Sequence, residues 1–145
     1  MYLPININID NKKILVVGAG NVAIQKVTSL LRFTRNINVI GKAIHPGLKE
    51  FGVELVEKSY DPTDLKGVFL VYVCTDDHDL NHKIKMHCEA EQILCNVADD
   101  PLYCDFISPA IYQKNEMSVA VCSGGVDVRK SVDWRNRIRE LIKDW

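Results

Sequence analysis

The fold is decided by Ile14-Leu15-Val16-Val17-Gly18-Ala19-Gly20-Asn21-Val22-Ala23. Four apolar residues of strand type run into two glycines one residue apart, and a small residue follows at position 23. This is the G-x-G-x-x-G/A pattern. Gly18 permits a tight turn out of the strand. Gly20 has no Cβ, so the backbone there can lie against a pyrophosphate. Ala23 lets the next helix pack closely on a sheet. Asn21 to Arg32 reads as that helix, with Val22, Ala23, Val27, Leu30 and Leu31 on one broad face and Gln25, Lys26 and Ser29 elsewhere. Its free N–H groups and positive dipole end suit phosphate. Glycine turns after strands also occur in α/β proteins that bind no nucleotide. A strand before the turn and a helix after it favour a dinucleotide site here.

Outward from this unit the pattern continues. Residues 2–9 alternate apolar and polar, as a half-buried strand or an extended lead-in would. Downstream, Asn36 to Ile40 reads as a second strand, ended by Gly41. A short helix to Phe51 and a third strand over Val53 to Glu57 follow. Asp61 to Leu65 reads as a loop and a helix start. Val68 to Cys74 is a continuous apolar run, as expected of a strand buried on both faces of a parallel sheet. A helix from Asp79 to Glu91 and a fifth strand, Ile93 to Val97, complete the order β-α-β-α-β-β-α-β. Beyond Pro101 the pattern changes. Phe106 to Gln113 and Met117 to Cys122 predict an antiparallel hairpin about Lys114-Asn115-Glu116, and Ser131 to Lys143 a final, arginine-rich helix. The fold expected is α/β: a Rossmann-type doubly wound parallel sheet over residues 1–104, then a hairpin and basic helix over 105–145 for dimerisation and substrate contact.

Composition narrows the function. The chain has 145 residues, 47% of them apolar, enough for a real core. A net charge of −1 argues against a general nucleic-acid binder, which is usually basic. No apolar run approaches ~20 residues, so no membrane span is expected. The start, Met1-Tyr2-Leu3-Pro4, lacks the marks of a secretory signal, and a cytoplasmic protein is expected. Of the five cysteines, none forms a C-x-x-C pair. Cys74, Cys95 and Cys122 lie in apolar strand-like runs and read as buried free thiols.

Ligands of open parallel sheets bind beyond the carboxyl ends of the strands. Three such ends are polar here: Gly18 to Gly20, Thr75-Asp76-Asp77, and Asn96 to Asp100. Thr75 and Asp76 suit either the cofactor side of the crevice or an ordinary helix cap. Asp99 and Asp100, with Asp105 nearby, suit either proton transfer or plain turn chemistry. An acid about 20 residues past the first glycine usually holds the ribose of NAD. Counting from Gly18 reaches Asn38, with Gly41 and Lys42 at the strand's end, so NAD and NADP both stay open. His78, His82, His87 and Cys88 have metal-like spacing. Their polar neighbours fit a solvated helix face better, and no resident metal is expected. Arg129, Lys130, Arg135, Arg137 and Arg139 form a basic tail suited to a polyanion or a partner subunit.

Together these pieces carry a resemblance. Leu3-Pro4-Ile5, Val16 to Ala23 with Lys26, Thr75-Asp76-Asp77 with Leu80-Asn81, Asn96 to Pro101, Cys104 to Ile107 with Pro109-Ala110-Ile111, and Val119-Ala120-Val121 before Ser123-Gly124-Gly125 stand in one order over residues 3–125. The chain resembles the precorrin-2 dehydrogenase / sirohydrochlorin ferrochelatase domain of sirohaem synthases. The resemblance implies NAD-dependent oxidation of precorrin-2, a polycarboxylate tetrapyrrole, to sirohydrochlorin, with iron insertion where both activities occur, by an intertwined homodimer. It implies an acid–base role for Asp99 and an active-site place for Ser123. Asn21, Val22, Lys42 and Ala43 match cofactor-contacting positions. On this reading Gly18 and Gly20 hold the pyrophosphate, Thr75 and Asp76 flank the nicotinamide, and Ser123 and the basic tail, Arg129 included, are expected to meet the substrate's carboxylates.

Two departures accompany the resemblance. After Gly125 the family usually continues with Thr, Lys or Arg and then Ser-Pro, whereas Val126-Asp127-Val128 stands here. The family also carries a further C-terminal helical domain, and this sequence ends at Trp145. A substrate site that is more open, or that depends on the basic last helix or a partner, is therefore expected. Beside the enzyme stand two other outcomes: a nucleotide-sensing domain that binds without turnover, and a dimerising remnant that binds no nucleotide.

Overall fold

β1 (Lys13–Val17) is the middle strand of five, and its residues Ile14 to Val17 are at most 2% exposed. Such complete burial is why its sequence is a continuous apolar run without alternation. The computed structural model describes residues 1–98 and 100–145, so Asp99 lies outside the described residues. Its chain forms two compact units, Ile5–Asp105 and Met1–Pro4 with Phe106–Trp145.

In the first unit the parallel sheet has the order β3-β2-β1-β4-β5, with β2 at Ile37–Gly41, β3 at Glu54–Glu57, β4 at Val68–Val73 and β5 at Leu94–Val97. β1 pairs with β2 through Ile14↔Ile37 to Val17↔Ile40, and with β4 through Ile14↔Leu70 to Val17↔Val73. The chain leaves β1 in one direction through α1 (Asn21–Leu30) and starts back from β4 in the other through α2 (His78–Ala90). Right-handed crossovers then put the two helices on opposite faces. Leu15, Val17, Ile40, Val71, Val73, Cys95 and Val97 form one face of the sheet's core, closed by Ile84 and Cys88 of α2. The strand order reverses between β1 and β4, where open sheets of this kind take ligands.

In the second unit β6 (Ala110–Lys114) and β7 (Met117–Val121) pair antiparallel about Asn115-Glu116, and Asn115 takes φ 54° in the turn. α3 (Val128–Ile142) is capped by Asp127, whose carboxylate accepts the Lys130 N–H at 2.8 Å. Arg135 ties α3 to the hairpin by donating to the Ile111 carbonyl at 2.9 Å. Among the described residues no helix is long and apolar enough to cross a membrane.

Several local expectations change. Residues 2–9 form no strand, and Ile5 and Ile7 are exposed. The segments Pro46–Phe51 and Pro62–Leu65 are tight 3₁₀ turns started by proline, the second closed by an Asp61–Asp64 capping box. β6 begins at Ala110 rather than Phe106, because Pro109 has no N–H to give the ladder. All five cysteines are free, but Cys122 at the hairpin's end is exposed, while Cys88 on α2 is buried with Cys74 and Cys95.

Candidate cofactor site

Ladder bonds bring the strand ends level. The Gly18 N–H donates to Ile40 O at 2.8 Å, the Cys74 N–H to Val17 O at 2.6 Å, and the Ala98 N–H to Val73 O at 2.8 Å. At the end of β1 the two glycines differ. Gly18 has φ +100°, and a Cβ there would sit 2.5 Å from the Cys74 carbonyl oxygen. Both the turn and the neighbouring strand exclude a side chain. At Gly20 a Cβ would meet nothing within 4 Å. The protein itself has no steric need of glycine at that point; the open space beside it is where a ligand's backbone approach would need one.

α1 starts at this space. No side chain caps its N-terminus, and its first turn holds no acid. The orphan N–H groups and the positive end of the dipole, at Asn21 and Val22, are thus left for an anion. A glycine-bared turn feeding an uncapped helix fits a pyrophosphate.

The loop after β2 is held beside this turn. The His45 N–H donates to Ala19 O at 2.9 Å, and a Cβ on Gly41 would lie 2.7 Å from Ala19 Cβ. Lys42 and Ala43 follow, both exposed. Asn38, the residue reached by counting, pairs with Leu15 in mid-strand. The residues that the loop holds beside the glycine turn are those at the strand's end, not the one the count reaches. The close approach that Gly41 permits between this loop and Ala19 is written only in the fold.

After β4, the Thr75 hydroxyl meets the Asn81 carboxamide oxygen and accepts the Asp77 N–H at 3.2 Å, while the buried Asn81 donates back to Thr75 O at 3.0 Å. Asp77 caps α2 through the Leu80 N–H at 3.0 Å. Thr75 thus anchors the helix start, and Asp76 beside it is exposed. From α1, Lys26 reaches over the Tyr72 ring at 5.5 Å.

The segment after β5 is stitched down on both sides of position 99. Cys104 Sγ accepts from Asn96 Nδ2 and the Val97 N–H, each at 3.3 Å, with the carbonyls of Val97 and Asp100 within reach of its S–H at 3.2 and 3.3 Å. Burial pushes this thiol's pKa up, against a smaller lowering from the Val97 backbone. Asp105 is taken up structurally. It accepts the Cys95 N–H at 2.9 Å and pairs with Lys85 Nζ at 2.5 Å. Burial pulls the Lys85 ammonium down, but the hydrogen bonds with Asp105 and Glu89 outweigh it and its pKa ends raised. The signal for Lys85 was its place among Asn81, Ile84 and Cys88 on the buried stripe of α2, where a charge requires a partner. His82, expected on a solvated face, instead stacks on Tyr103 at 4.0 Å and lies 3.3 Å from Asp100.

The first unit therefore gathers Gly18, Gly20, Asn21, Val22, Lys42, Ala43, Thr75 and Asp76 along its strand ends. Residues 5–110 match the model of a protein family described as "Putative NAD(P)-binding". The chain belongs to this NAD(P)-binding family. Among curated proteins it is 37% identical over 145 residues to a siroheme synthase of Nitrosococcus oceani, covering 97% of the chain and 31% of that protein. It is 38% identical over 128 residues to a siroheme synthase of Sodalis glossinidius, covering 86% of the chain and 27% of that protein. The NAD(P)-binding chain thus spans less than a third of the length of these relatives. A solved structure titled "SirC, precorrin-2 dehydrogenase" shares the fold, with a TM-score of 0.81 at 23% identity, over 100% of this chain and 71% of that one.

Ser123 and Arg129 belong to the second unit. Ser123 Oγ accepts the Asp127 N–H at 2.8 Å, and Arg129 is exposed. Within the basic tail Arg135 is part-buried and serves the hairpin, while the exposed Arg137 pairs with Asp133 at 3.0 Å and the exposed Lys130 lies 5.8 Å over the Trp134 ring.

Proposed function

We propose that this chain binds NAD and oxidises precorrin-2 to sirohydrochlorin, as a cytoplasmic homodimer. The observation that carries the proposal is the bared turn, Gly18 to Gly20, opening onto the uncapped start of α1. The siroheme synthase relatives and the fold shared with a precorrin-2 dehydrogenase support the choice of substrate.

When bound, NAD would supply the hydride acceptor for such an oxidation. The chain's own residues do the rest. Gly18 shapes the turn, Gly20 admits the pyrophosphate, and the N–H groups at Asn21 and Val22 bond its oxygens. Lys42 and Ala43 would hold the ribose side of the cofactor, and Thr75 and Asp76 its nicotinamide side. Asp99 takes the proton that leaves as the hydride departs. Ser123 and Arg129 bond the carboxylates of the substrate, contacts made stronger by charge.

Anaerobic incubation with precorrin-2 and NAD, then NADP, tests this. Sirohydrochlorin is expected to appear in step with NADH. Ferrous ion added afterwards reads out metal insertion. Nucleotide bound without turnover overturns the proposal in favour of a sensing domain.

A further inference from the structure

We infer that His82 is a positioning residue for the segment that carries Asp99, an inference that rests on the function proposed above. A solvated histidine on a helix face would need neither a carboxylate nor an aromatic partner. His82 has both, and both come from one short segment. Its Nε2 lies 3.3 Å from Asp100 Oδ2, and its ring stacks on Tyr103 with centroids 4.0 Å apart and planes at 21°. One side chain of α2 therefore grips the segment after β5 at two points.

The backbone of that segment is built to pass the grip on. Ala98 is tied to β4 through Val73 O, the Asp100 N–H donates to Val97 O at 3.3 Å, and the Tyr103 N–H donates to Asp100 O at 3.1 Å. Residue 99 stands in sequence between these anchored neighbours. One helical turn beyond His82, Lys85 fastens the segment's far end through Asp105. The two grips differ in kind. Lys85 is 5% exposed and its partner also bonds β5, so its loss reaches the core. The His82 side chain is 40% exposed, so its removal opens no cavity. What it controls is the placing of the segment, and a small misplacement of a reacting group is costly in rate.

The test is turnover of precorrin-2 under saturating NAD by wild type, His82→Ala and His82→Gln, with NAD affinity and melting temperature measured alongside. His82→Ala is expected to lower kcat about tenfold, with KM, NAD affinity and melting temperature close to wild type. His82→Gln, whose amide can still donate to Asp100, is expected to recover kcat to within about threefold of wild type. An unchanged kcat in His82→Ala overturns the inference, as does a loss of NAD affinity in parallel with rate, or a glutamine variant as slow as the alanine one. A wild-type chain that binds NAD without oxidising precorrin-2 overturns the function itself, and the inference with it.

Discussion

Gly18 and Gly20 stand two residues apart and answer to different demands. Gly18 is required by the fold, with its left-handed φ and the Cys74 carbonyl oxygen 2.5 Å from where a Cβ would be. Gly18→Ala is expected to cost about 3 kcal/mol or more of stability, measured by urea unfolding. Gly20 faces open space. Gly20→Ala is expected to stay within about 0.5 kcal/mol of wild type yet lose at least about tenfold in NAD affinity by calorimetric titration. Equal behaviour of the two variants would refute this division. Asp99→Ala is expected to lower turnover by about 10²–10⁴ while leaving NAD affinity intact; full activity would remove its acid–base role. The glycine turn was legible because its spacing is a local backbone rule. Gly41 and Cys104 were not, since their importance lies in what they touch after folding: Ala19 across a loop, and the end of β5.

α2 shows how an element carries a charge into a core. Its buried stripe of Asn81, Ile84, Lys85 and Cys88 includes one ammonium, satisfied by Asp105 and Glu89. Lys85→Met keeps the apolar stem and removes the charge-assisted bond, at an expected cost of about 2 kcal/mol. The pH dependence has a definite sign. The Lys85 pKa is raised in the folded chain above its usual 10.5, so the pair's contribution is whole below that value and fades as pH climbs through the folded one. The stability gap between wild type and Lys85→Met is expected to stay flat from neutral pH to 10.5 and to narrow above it, in unfolding curves taken across that range. A gap that widens there would contradict the pairing. Helix and strand identities were readable from apolar period and run length. Their edges were not, because single residues set them: Pro109 delays β6, Asp127 starts α3 three residues early, and prolines 46 and 62 tighten two turns into 3₁₀ form.

At the scale of the molecule, the second unit leaves Met117, Val126, Trp134 and Leu141 more than half exposed on a small hairpin-and-helix body. The proposed homodimer is expected to cover such surface, and sedimentation equilibrium should return twice the chain's mass; a monomer at working concentration would discard it. A doubly wound parallel sheet followed from the alternation of elements along the sequence; its strand order β3-β2-β1-β4-β5 is read from the structure. The grouping of Met1–Pro4 with Phe106–Trp145 did not follow, since contact between segments far apart in sequence leaves no periodic trace. The bare start of α1 has a practical consequence at the bench. An unneutralised helix end favours small oxyanions, so phosphate or sulfate in a buffer is expected to compete with the dinucleotide. It would raise the melting temperature of the free chain by mass action and make NAD binding look weaker in phosphate than in Tris of equal ionic strength. Affinities for this chain are therefore comparable only between solutions whose anions are matched.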